Sequence, residues 1–109
     1  MANAFKVKTK IGLGTADSAV YTCPGATQTT IIGMNLANIK ATSIQANVRL
    51  HNVDGEIAYI IKDAPIPTGS ALVPVGGDQK LVMEAGDIIK VSSDTDSSID
   101  ATLSILEIT

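Results

Sequence analysis

Lys62-Asp-Ala-Pro-Ile-Pro-Thr-Gly-Ser-Ala-Leu-Val-Pro-Val-Gly-Gly-Asp-Gln-Lys-Leu-Val-Met-Glu-Ala-Gly-Asp-Ile-Ile-Lys-Val-Ser-Ser93 decides the fold class of this chain. Short runs of Val, Ile and Leu alternate with Gly, Pro and Asp, and no run is long enough for a helix of ordinary length. Short apolar runs bounded by turn residues are the signature of compact antiparallel β structure. Asp63-Ala64-Pro65-Ile66-Pro67 is not a central strand, because proline donates nothing to a ladder and biases its predecessor to extended conformations. It reads as a loop crossing between layers, while Gly76-Gly77-Asp78 and Glu84-Ala85-Gly86-Asp87 read as turns.

The same grammar extends to both ends. Residues 94–100 read as a polar loop, and residues 101–109 close the chain as a strand with Leu103, Ile105, Leu106 and Ile108. Upstream, Ile44, Ala46, Val48 and Leu50 alternate with Gln45, Asn47, Arg49 and His51, and Asp54-Gly55 then supplies a hairpin turn before the return run 56–62. Residues 27–37 alternate, with Thr30, Ile32, Met34 and Leu36 as the apolar set, and Pro24-Gly25 marks the preceding turn. In the first segment, Phe5, Val7, Thr9 and Ile11 alternate with Lys6, Lys8 and Lys10, which reads as a half-buried strand with its lysines outward. Eight or nine strands at spacings near ten residues predict a single all-β domain over 1–109, an antiparallel β-sandwich of jelly-roll type. Residues 1–25 form its N-terminal strand or an arm used in assembly.

Composition bounds the function. One Phe, two Tyr and no Trp demand an aliphatic core, and charged residues make up 17% against about 25% in an average soluble domain. A sparsely charged, Thr-rich surface suits a subunit packed against neighbours. The net charge of −3 argues against nucleic-acid binding, which calls for a basic face. Residues 1–50 carry five cations against Asp17 alone, whereas residues 51–109 carry ten acids against three lysines. Such a bipolar chain can stack on copies of itself if the halves map to separate faces. No apolar run reaches membrane-span length, and the opening residues lack the apolar core of a secretion signal.

No residue set is built for chemistry. Cys23 excludes an internal disulfide and reads as a buried free thiol; His51 is the one histidine available as its base. Asp94, Asp96 and Asp100 share a loop with the donors a hard cation wants, yet without the Gly and distal Glu of a calcium loop. Gly76-Gly77-Asp78 and Gly12-Leu13-Gly14 lack the following helix that a phosphate cradle needs. No catalytic, cofactor or metal-binding residue is therefore expected, and no enzyme activity.

Residues 30–38 (Thr-Ile-Ile-Gly-Met-Asn-Leu-Ala-Asn), 62–67, 70–81, 84–87 and the terminal Leu-Glu-Ile-Thr resemble small virion structural proteins of tailed bacteriophages, of the kind found among marine and cyanobacterial phages. The resemblance spans about residues 28–109. It implies a β-sandwich on a phage particle, localised to the virion after synthesis in the host cytoplasm, and it carries no active-site motif. The function expected is a capsid decoration (cement) protein that binds and stabilises the head shell. Its partners would be the major capsid protein or other virion proteins and further copies of itself. A tail, neck or fibre component is the alternative within that class, and a ligand- or carbohydrate-binding module the alternative outside it. Lys6, Lys8 and Lys10 on the first strand, with Pro65 and Pro67 in the proline-rich loop, are the expected assembly contacts.

Overall fold

Nine antiparallel strands make two sheets in a computed structural model that describes residues 3–76 and 79–109. They are β1 (Asn3–Leu13), β2 (Ser18–Thr22), β3 (Gln28–Asn38), β4 (Ile44–His51), β5 (Ile57–Ile66), β6 (Ala71–Val75), β7 (Leu81–Met83), β8 (Ile88–Ser93) and β9 (Ile99–Ile108). The first sheet runs β1-β9-β3-β6, with β7 on the other half of β3; the second runs β2-β8-β4-β5. Pairing therefore nests from the ends inward: β1 with β9, β2 with β8, β3 with β6 and β7, and β4 with β5. Rolling that nested ribbon adds the β3–β9 and β4–β8 ladders. This is the winding of a jelly roll, with one of its eight arms split into β6 and β7.

Alternation puts the core between the sheets. Ile99, Ala101, Leu103 and Ile105 of β9 meet Ile44, Ala46 and Val48 of β4 and Ile89 and Val91 of β8, all essentially without solvent contact. The outward set expected on β4 is confirmed, with Gln45, Asn47, Arg49 and His51 opposite the buried residues.

Three local readings are corrected. A β-bulge between Ile31 and Gly33 inserts one residue into β3, which resets the side-chain alternation. The buried set is consequently Thr29 and Ile31 before the bulge, then Met34 and Leu36 after it. The proline-rich segment is the end of β5, not a loop: Pro65 pairs with Gln45 and Ile66 with Ile44. Proline is tolerated there because β5 is the edge of its sheet. At the Pro24-Gly25 turn the left-handed residue is Ala26 (φ 55°), not the glycine.

Polar side chains fasten the connections. Buried Asn38 donates from Nδ2 to the carbonyls of Thr42 and Ile66, while its Oδ1 accepts from Lys40 N–H. Buried Asp87 accepts from Val53 N–H and Glu84 N–H, tying the β4–β5 turn to the 84–87 turn. Gln79 N–H donates to the Gly76 carbonyl, while Gly77 and Asp78, the centre of the expected glycine turn, lie outside the described residues.

Candidate functional site

The first strand is oriented opposite to the sequence expectation. Antiparallel partners share a face, and the register sets Lys6 against Ile105, Lys8 against Leu103 and Lys10 against Ala101. The lysines thus stand on the core side of the sheet, and the apolar set faces out: Phe5 is 78% exposed, Val7 64% and Ile11 77%. The reason is position. β1 is the outermost strand of its sheet, and opposite it lies β2, only five residues long. Long lysine stems can lie along that open margin while their ammonium groups reach water or a carboxylate.

Lys6 finds such a carboxylate. Its Nζ lies 2.7 Å from Oε1 of Glu107, a buried acid at the inward end of β9. The other carboxylate oxygen accepts the Tyr21 hydroxyl at 2.6 Å, and that hydroxyl also lies 2.8 Å from Thr29 Oγ1. Cys23 Sγ, 3.2 Å from the same Thr29 oxygen, donates to the Thr27 carbonyl. The hydrogen bond from Lys6, then that from Tyr21, holds Glu107 below the ordinary carboxylate range. Burial, reinforced by the bond to Glu107, pushes the Tyr21 phenol well above its ordinary value. Cys23 is a buried free thiol, as its setting suggested. His51 belongs to a different network, with Nε2 3.3 Å from Asp17 Oδ2 on the outer side of the second sheet.

That outer side is charged. Asp17 bridges Arg49 at 2.6 Å, and the guanidinium of Arg49 and the ammonium of Lys62 lie 5.5 and 5.3 Å from the centre of the Tyr59 ring. Lys90, opposite Arg49 in the ladder, adds a further cation. The expected 94–100 loop ends earlier, because Ile99 and Asp100 already belong to β9, and its acids turn to separate tasks: Asp94 accepts Gln45 N–H, Asp96 the Thr15 hydroxyl and Asp100 Gly12 N–H. Among the described residues no three His, Cys, Asp or Glu side chains converge as a metal cluster would.

The outer side of the first sheet is different in kind. Its outward strand positions are Phe5, Val7, Thr9 and Ile11 on β1, Thr102, Ser104, Leu106 and Ile108 on β9, and Thr30, Gly33, Asn35 and Ala37 on β3. Val73 on β6 and Val82 on β7 complete it, 60% and 63% exposed. Asp100, at one end, is the single ionisable group among the outward strand positions of this sheet that the structure describes; Lys80 and Glu84 lie beyond the ends of β7. The sequence reading missed this face because it turned β1 inside out. One signal was available: neither alternating set of residues 101–106 carries a charge, so the middle of β9 has no ionic side.

Of the expected contacts, Lys6, Lys8 and Lys10 therefore line the inner margin of β1. Pro65 lies near the end of β5, in the other sheet, and Pro67 just beyond it. The structure does not bring the two groups together into one patch. Comparison with family models, curated proteins and solved structures gives no match.

Proposed function

We propose that this chain is a structural subunit of a tailed-phage particle, a decoration protein that binds the outside of the head shell. What carries the reading is the contrast between the two outer sides of the sandwich. One presents Asp17, Arg49, His51 and Lys90; the other presents aliphatic residues, Phe5, threonine and serine. A subunit with two chemically distinct broad faces can meet two kinds of neighbour at once, which a particle-bound protein must do. The fold alone hosts many functions, so the particle itself comes from the resemblance over residues 28–109. A shell protein that is bound only when folded onto its capsid stabilises that capsid by mass action.

The test adds purified protein to heads of the encoding phage that lack it. Saturable binding at a fixed ratio to the major capsid protein, with a rise in the melting temperature of the head, is expected. Failure to bind heads, or binding confined to tails, overturns the reading.

A further inference from the structure

We infer that two copies of this chain pair through the nearly uncharged outer face of the β1-β9-β3-β6/β7 sheet, sheet against sheet. The inference does not depend on the phage reading, because it rests on the shape and charge of the molecule alone.

The sheet edges leave few other routes to self-association. An open edge is a template for another strand unless it is blunted. β1 carries Lys6, Lys8 and Lys10 pointing toward the core side, and inward charges on an edge strand would be buried by an added strand. On the opposite edge of that sheet, β6 and β7 are separate short strands and β6 contains Pro74. In the second sheet, β2 has five residues with an irregular register, and β5 carries Pro65, two irregularities in its ladder with β4 and a left-handed Asp63. All four edges are guarded; the flat outer face is not.

That face fits a second copy of itself. In a two-fold contact each patch meets the same patch, so any net charge on it repels its own image. A face whose described strand positions carry one ionisable group, Asp100 at one end, largely escapes that penalty, and charged groups of another protein laid on its centre would lose their water without gaining a partner. Phe5, Val7 and Ile11 at one edge of that face and Val73 and Val82 at the other stand exposed, apolar surface that a partner would remove from water. Its size is adequate. Four strand widths give about 19 Å and ten residues of β9 about 33 Å, a flat footprint of about 600 Å². Side-chain relief enlarges that figure toward the roughly 800 Å² per partner of a stable interface. Two sheets packed this way sit about 10 Å apart, so facing side chains interdigitate.

Sedimentation velocity over a range of micromolar concentrations tests the pairing. The wild-type chain is expected at the mass of two copies. Val7→Lys, which sets two ammonium groups against each other across the contact, should raise the dimer dissociation constant by ~100-fold or more. Val82→Lys should do the same from the far side of the face. Both positions are exposed, so far-UV circular dichroism should match wild type, and the unfolding midpoint should fall only by the mass-action share of the lost dimer, a gap that closes on dilution. Ile57→Lys, equally exposed on the other sheet, should leave the dimer intact. A wild-type monomer, a trimer, or a dimer broken by Ile57→Lys and untouched by Val7→Lys overturns the inference. So does a monomer whose binding to phage heads is lost on Val7→Lys, since the shell would then occupy the face. A dimer that ignores heads instead sinks the functional reading and leaves the pairing standing.

Discussion

Glu107 keeps a carboxylate at the margin of an aliphatic core because two donors, Lys6 and Tyr21, converge on it. Its depressed pKa means the unfolded chain takes up a proton near the ordinary 4.5 while the folded chain resists until lower pH. The stabilisation it contributes is thus complete above that value and is lost as pH falls below it. Tyr21 has the opposite linkage. Its raised pKa keeps the proton on in the folded state, so its contribution is complete below pH 10.0 and is lost as pH rises above it. Tyr21→Phe should cost about 1–2 kcal/mol at neutral pH, since one buried carboxylate oxygen loses its donor. The difference between wild type and variant should shrink above pH 10 and below pH 4, as read from urea midpoints across pH. A constant difference at every pH would contradict the linkage. Backbone conformation supplies a second residue-level test. Gly86 has φ +91°, and a Cβ there would stand 2.9 Å from Val53 Cγ2, whereas a Cβ on Gly12, at φ +64°, meets nothing. Gly12→Ala should cost about 1 kcal/mol from conformation alone, and Gly86→Ala more, by chemical denaturation.

At the scale of the element, β4 was legible and β1 was not, although both alternate cleanly. The outward residues of β4 are polar and its inward ones aliphatic, so period and burial agree. On β1 the rule that apolar residues face the core fails because the core does not extend beneath an edge strand whose opposite neighbour, β2, is so short. Only the ladder with β9 reveals this, and ladder partners 86 or more residues apart in sequence leave no local trace. The bulge in β3 escaped for a related reason. One inserted residue changes the side of every residue after it, and nothing in Ile31-Ile32-Gly33 alone says where it falls. If the inward lysines guard the β1 edge, Lys8→Thr with Lys10→Thr should leave the unfolding midpoint within about 0.5 kcal/mol of wild type. The same variant should associate beyond the dimer, seen as rising light scattering. An unchanged mass distribution would remove that role from the lysines.

For the whole molecule, the antiparallel sandwich was readable from turn spacing, but the nesting of strands was not, because alternation assigns faces and not neighbours. The winding also dissolves the charge bipolarity of the sequence. The basic first strand lies against β9 and β2 lies against β8, so the N- and C-terminal halves interleave, and Lys6 closes on Glu107. Charge is segregated between the two outer faces instead, with the nearly uncharged one assembled from β1, β3, β6, β7 and β9. The expected contacts at the lysines and prolines were chosen from local pattern, whereas this face exists only once the roll has formed. The same long-range pairing should make unfolding a single cooperative transition and refolding slow, on the millisecond-to-second scale. The most direct measurement is a cryo-electron microscopy reconstruction of the phage particle proposed to carry this chain. The expected map shows jelly-roll density on the outside of the head, paired sheet to sheet through β1, β3 and β9. A head without that density, or particles from which the chain is missing, would contradict the assignment.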